Sequence, residues 1–317
     1  MDSAHPFASA RYAEGLAAPA DVIAIPEWGS HLIRRSIEGG LCDAMGVYPL
    51  QVFARGAGIA AGLERLAAGG LVSAVLVPDP LHSTAEDLAR QFEICRPFKT
   101  HYLIDPARGV FAPSRHHGQE LRRAARRGRV ERVSLSNHLA VWRQLYAGLV
   151  ARRAVSGAAD FAPAYFDALA AEPAMQAFAA YSGGEIVGMS IWFAAEGVVY
   201  YHLSAVSPSG YALGAAYSLV GAAVEHFAGQ GIIHLGGGAG SVDGSDGLAA
   251  FKRGFANNEV TAHVCGAVLD HAAYKNLSAG RGTTDFFPAY REPARAACAG
   301  RASAVSFSAT RAMSSAP

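Results

Sequence analysis

The chain has 317 residues, 51% of them hydrophobic and 17% charged, so it can build a packed core and is not globally disordered. A net charge of +1 excludes a general polyanion binder and confines any basic surface to a local patch. Cys42, Cys95, Cys265 and Cys298 are scattered without a C-x-x-C pair, which speaks against a zinc site and for reduced thiols. The N-terminus lacks the basic region and apolar core of a signal peptide, and the longest apolar run, 212–224, is too short to span a bilayer. The expectation is a soluble, cytoplasmic protein.

Residues 1–20 read as a loose, Ala-rich lead-in. Val22–Ile25 reads as a strand closed by Pro26, and 30–38 as a short helix stopped by Gly39 and Gly40. Residues 48–53 read as a turn and then a strand. Ile59–Ala68 has one apolar face and reads as a helix, and 71–77 is a β-branched strand closed by Pro78 and Pro80. A helix over 85–94 and a strand over 101–104 follow.

Residues 114–132 differ in character. Arg115, Arg122, Arg123, Arg126, Arg127, Arg129 and Arg132 face only Glu120 and Glu131. Ser114 can cap a helix here and Gly128 can end it. Arg122 with Arg126, and Arg123 with Arg127, share helical columns, and like charges at that spacing oppose the helix by a few tenths of a kcal/mol, roughly. An anion lying along the column turns that repulsion into attraction.

Helices are expected over 139–152 and 161–169, then strands over 175–181 and 185–193 joined by the hairpin turn 182–184. A strand over 197–206 and one long helix over 212–228 follow. Alternation on that strand places Tyr200, His202 and Ser204 on one face and Tyr201 on the other. Residues 232–235 form a short strand ended by Gly236, Gly237 and Gly238, which permit positive φ and close approach. Asp243, Ser245 or Asp246 then caps a helix on which Leu248, Phe251 and Phe255 fall at helical spacing, with Lys252 between the phenylalanines. Neither a dinucleotide fingerprint nor a phosphate-loop motif can be drawn through these glycines. A last strand over 259–269 precedes a tail, 295–317, expected to be disordered. The elements make a mixed α/β chain. His116, His117 and the other histidines lack metal-ligand spacing, so no metal is expected.

With these elements placed, the second half resembles the GNAT acyltransferase fold, and its text resembles the FemABX-type branch of tRNA-dependent aminoacyltransferases and their relatives. Four pieces carry the likeness: Gly46-Val47-Tyr48-Pro49, the strand 70–81 ending V-P-D-P-L, the arginine helix, and the block 235–255 reading L-G-G-G … D-G-L-A-A-F-K-R-G-F. The resemblance implies an α/β fold of two tandem GNAT-like domains, 21–130 and 131–294, with the chemistry in the second. It implies attack of an amine on an activated carbonyl. The acyl donor is an aminoacyl-tRNA or an acyl-CoA co-substrate, and no cofactor is tightly bound. Lys252 corresponds to the lysine that steadies the tetrahedral oxyanion, in a site lined by Phe251 and Phe255. His202 is a candidate to accept the amine proton. Tyr200, Tyr201, Ser204, Tyr211, Tyr217 and Asp246 are candidates for holding substrate. Arg115, Arg122, Arg123, Arg126 and Arg127 are candidates for tRNA phosphate. The acceptor is a small-molecule or peptide amine, and DNA is not expected as a partner. Two departures favour aminoacyl-tRNA over acetyl-CoA. Ser207 stands where acetyl-CoA enzymes carry Arg or Gln before the long helix, and Ala250 and Phe251 stand where they carry a tyrosine. The rival readings are an acyl-CoA-dependent N-acyltransferase and a non-catalytic GNAT-like binding module.

Overall fold

The structure, a computed structural model, describes residues 5–153, 157–239, 246–281 and 284–292. In chain order the elements are α1 Ala10–Leu16, β1 Val22–Ile25, β2 Ser30–Ser36, β3 Cys42–Gly46, α2 Ile59–Ala68, β4 Leu71–Leu76, α3 Ala85–Gln91 and β5 Ile94–Ile104. There follow α4 Arg115–Ala125, β6 Arg129–Val133, α5 Leu139–Arg153, α6 Pro163–Ala170, β7 Gln176–Ser182, β8 Glu185–Ala195 and β9 Val198–Val206. The chain continues through α7 Pro208–Leu213, α8 Ala215–His226, β10 Ile232–Gly237, α9 Gly247–Arg253, β11 Asn258–Val268 and α10 His271–Leu277. Backbone contacts divide it into two units. One comprises Phe7–Pro97, Ser156–Phe161 and His263–Pro317; the other comprises Met1–Pro6, Phe98–Val155 and Ala162–Ala262.

In the first unit the strands run in the order β1, β2, β3, β4, β11, antiparallel except for the β3–β4 pair. Trp28, Leu32, Leu66, Leu76 and Cys265 fill its core. Three sequence expectations change here. Residues 30–36 are strand β2, not helix: S-H-L-I-R-R-S suits either period, and pairing to β1 on one side and β3 on the other decides for strand. Residues 48–53 form no strand. Gln51 makes an isolated bridge to Pro78, and its side-chain amide donates to Ser30 Oγ at 2.7 Å. The lead-in contains α1, capped by Ser9, with Tyr12 buried and its hydroxyl donating to Tyr48 O at 2.6 Å. The expected tail lies outside the described residues.

This unit also holds a buried ionic network. Asp43 accepts from Arg35 Nε (2.9 Å) and Nη2 (3.1 Å), from Arg291 Nε (2.5 Å) and Nη2 (3.0 Å), and from the Tyr290 hydroxyl (3.0 Å). The Tyr290 hydroxyl also pairs with Ser73 Oγ at 2.7 Å.

In the second unit the order is β5, β10, β9, β8, β7, β6, with β10–β9 parallel and the other pairs antiparallel. The β7–β8 hairpin turns through Gly183 and Gly184, both at positive φ, as a two-residue turn requires. Its core joins Phe178, Trp192 and Val199 of the sheet to Leu219 and Phe227 from the α8 region. The long helix expected over 212–228 is two helices. Gly214 takes φ 77°, a left-handed conformation that ends α7 and admits α8 in a new direction. Helix α4 ends at Ala125, three residues before Gly128, and strand β6, which the sequence reading did not anticipate, follows it and pairs with β7. Among the described residues, no helix is long and apolar enough to cross a membrane.

Candidate active site

Strand β10 delivers the glycine turn. A register slip between His234 and Gly236 against β5 marks a bulge at Leu235, which re-aims the strand end. Gly236 has φ 75°, and a Cβ built there would lie 3.2 Å from Lys252 Nζ. A Cβ on Gly238 would fall 2.4 Å from Asp246 Oδ2, so this position is glycine because a carboxylate occupies the space. Asp246 caps α9: its Oδ1 accepts from Ala249 N at 2.8 Å and its Oδ2 from Ala239 N at 2.9 Å. The other cap candidates, Asp243 and Ser245, lie outside the described residues.

Lys252, in the last turn of α9, points back at the glycine turn. It is buried, and its Nζ donates to Gly237 O at 2.7 Å. The ammonium lies 5.6 Å from the Tyr201 ring centroid. A second lysine arrives from β5: Lys99 Nζ donates to Gly238 O at 3.4 Å. Burial is the main force that pushes Lys252 down to about 7; the Lys99 charge adds to it and Asp246 opposes it. Burial lowers Lys99 as well, again against the pull of Asp246.

Strand β9 supplies the aromatic side of this site, but not by strict alternation. Against β8, Leu203 pairs with Ile191 and Tyr201 with Trp192, so His202 is an extra residue. The bulge shifts the faces. Ser204, expected beside Tyr200, falls instead on the Tyr201 face, where its hydroxyl donates to Met189 O at 3.2 Å, and burial pushes the Tyr201 hydroxyl up to about 12. Trp192 stacks on Tyr201 at 4.3 Å between centroids. Tyr211 is about half exposed.

The other expected residues are held elsewhere. Tyr200 stacks on Phe193 and meets His234 and His5 edge-on. His202 is buried, with its Nε2 2.6 Å from the Tyr165 hydroxyl, and burial pushes it down to about 3. An imidazole so resistant to protonation is a poor acceptor for an amine proton at neutral pH. Phe251 and Phe255 pack with Tyr217 and His117 on α8 and α4, and His117 Nε2 hydrogen-bonds Phe251 O at 2.8 Å. The ring found beside the Lys252 ammonium among the described residues is thus that of Tyr201.

Helix α4 is pinned on one side through His117 and the buried Ala124 and shows arginine on the other. Arg115, Arg122, Arg123, Arg126 and Arg127 are all exposed. Arg123 approaches Glu120 at 3.6 Å and Arg127 donates to Ala212 O at 3.4 Å. Among the described residues Arg115, Arg122 and Arg126 make no ion pair. No group of three or more metal-ligating side chains is assembled among the described residues.

Two contributors escaped the sequence reading: Lys99 and Trp192. A signal for Lys99 was present. The chain has only three lysines, Lys99, Lys252 and Lys275, among 27 basic residues, and two of them meet at one turn.

Residues 114–253 match the Acetyltransferase (GNAT) domain family, a span that includes α4, the β7–β10 strands and α9 with Lys252. No curated protein matches the chain. Solved structures share the fold. The C-terminal (DUF2156) domain of a protein described as a lysylphosphatidylglycerol synthetase, from Agrobacterium fabrum, superposes with a TM-score of 0.59 at 18% identity, covering 84% of this chain and 88% of that one. FemX superposes with a TM-score of 0.58 at 12% identity, covering 78% and 86%. L-PGS from Bacillus licheniformis gives 0.54 at 15% identity, covering 75% and 80%. Residues 114–253 thus match a GNAT acetyltransferase domain, and the mixed α/β fold is one that FemX and the lysylphosphatidylglycerol synthetase domain share.

Proposed function

We propose that this acyltransferase forms an amide on a small-molecule or peptide amine and takes its acyl group from an aminoacyl-tRNA. The amine nitrogen attacks the ester carbonyl and an N–C bond forms, leaving an oxyanion on the former carbonyl oxygen. The C–O bond to the ribose then breaks, and the proton lost from nitrogen ends on the departing ribose oxygen. No tightly bound cofactor takes part, and the donor places the reaction in the cytoplasm.

The observation that supports this reading is the Lys252 ammonium, buried, held at 2.7 Å by Gly237 O and backed by the Tyr201 ring. A cation placed in advance where water is scarce stabilises developing negative charge far better than the same cation in water. Lys252 acts in its protonated form. Its value of about 7 in the free protein makes the transfer rate fall as pH rises past neutrality, and Lys252→Arg, which does not titrate, abolishes that limb. Tyr201, Ser204 and Tyr211 form the substrate wall, and the exposed arginines of α4 meet tRNA phosphates. The folds shared with FemX and with the lysylphosphatidylglycerol synthetase domain agree with an aminoacyl donor.

An acyl-CoA donor is the second reading, favoured by the acetyltransferase description of the matched family. Ser207 bears on it: its hydroxyl is engaged in capping α7, accepting from Gly210 N at 3.1 Å. The purified chain, given either radiolabelled aminoacyl-tRNA or labelled acyl-CoA with a panel of amines, separates the two. Transfer from aminoacyl-tRNA is expected, and label passing only from the thioester ends the tRNA reading.

A further inference from the structure

Of the 27 lysines and arginines of this protein, all but three are arginine. Lys275 is exposed on α10. Lys99 and Lys252 come from different elements to donate to consecutive carbonyls, Gly238 O and Gly237 O. An ammonium carries three donor hydrogens. Among the described residues each of these lysines uses one of the three, which leaves two. Two like charges in a desolvated site repel each other unless an anion joins them. Asp246 is close enough to be felt by both, yet each of its oxygens already accepts a backbone N–H, from Ala249 and Ala239. The compact ammonium, rather than the wide guanidinium fork, suits two cations sharing one small group.

We propose that Lys99 and Lys252 together receive an oxyanion of the substrate, a carboxylate or a phosphate group, and that Lys99 is a substrate-positioning residue. Lys252 then has one donor for that anion and one for the reacting carbonyl oxygen. The substrate class follows: an amine acceptor or acyl donor with a carboxylate or phosphate a few bonds from the reacting atoms, and not a plain alkylamine. That the anion belongs to the substrate rests on the acyl-transfer reading; that the two lysines bind an oxyanion does not.

The test uses the full chain with isotope-labelled lysine, whose three side-chain NMR signals are assigned by substitution. Inorganic phosphate and malonate are titrated separately at constant ionic strength. The Lys99 and Lys252 signals shift together and saturably, the Lys275 signal stays, and the bound anion raises the titration midpoint of Lys252. Response to malonate alone identifies a carboxylate, response to phosphate alone identifies a phosphate, and either sustains the site. Lys99→Met weakens that binding about tenfold or more, as loss of a charge-assisted hydrogen bond should, and Lys99→Arg recovers part of it. In turnover, Lys99→Met raises KM for an anionic substrate with little change in kcat. Lys252 responding without Lys99, all three lysines shifting alike, or Lys99→Met binding like the parent overturns the proposal. A protein that binds the anions at both lysines but accepts no aminoacyl-tRNA loses the donor reading and keeps this site. One that transfers normally while neither lysine senses an anion loses this site alone.

Discussion

Asp43 accepts five hydrogen bonds, two from each of two guanidinium groups and one from a tyrosine hydroxyl. Lys252, also buried, makes one among the described residues, and the charges that act on it include a second ammonium. The first is a charge the protein has fully answered, and geometry of that kind holds β3 and the 290–291 segment to one another. The second is a charge the protein has left under-answered, and a group in that condition gains most when something else supplies the partner. Burial alone therefore does not separate structural from functional charges; the partners do.

The largest effect expected from breaking this contrast is at Asp43. Asp43→Asn leaves the half-buried Arg35 and Arg291 guanidinium groups without their carboxylate, a loss of about 3 kcal/mol in denaturant unfolding, while transfer by the folded fraction is kept. A loss below about 1 kcal/mol would put the network no higher than an exposed ion pair. At the other pole, Lys252→Ala lowers kcat/KM roughly 100- to 1000-fold with the unfolding midpoint not reduced. Unchanged turnover in that variant removes the lysine from the mechanism.

A smaller effect sharpens the same contrast through pH. The folded value of Lys252 is depressed from 10.5 to about 7, so the unfolded chain holds that proton more tightly. Burying the ammonium therefore opposes folding in full below about 7, and the penalty is relieved as pH climbs toward 10.5. Lys252→Met should raise the thermal midpoint at pH 6, and the gain should shrink across that window; a gain independent of pH would mean the side chain is not desolvated. The smallest effect is on α4. Arg122→Gln and Arg126→Gln leave stability within about 0.5 kcal/mol, and each lowers the salt slope of tRNA binding by roughly 0.7–0.9. An unaltered slope takes phosphate away from this face.

Much of the site's frame was legible in local text. A strand running into glycines, a cap of which Asp246 is one of three candidates, and the position of Lys252 on α9 are set within about twenty residues; the strand itself runs two residues further than expected, through Gly236 and Gly237. Helix α2 and the β7–β8 hairpin are equally local. What failed was whatever depended on a distant partner. Strand β2 was read as helix because its pattern fits both periods until β1 and β3 flank it. Ser204 changed companions because one residue, His202, is accommodated as a bulge against β8.

The sequence by itself determined local features such as the Gly183–Gly184 turn, the Ser114 cap and the helix α2, because those preferences arise from each residue's own sterics and its neighbours along the chain. It also concentrated arginine on α4 and kept lysine to three positions. Only the tertiary structure decided that Lys99 meets Lys252 at the glycine turn, that Tyr201 backs the ammonium, and that Phe251 and Phe255 pack against α4 and α8. Desolvation and charge repulsion depend on what comes close in space, and strands far apart in sequence bring those groups together.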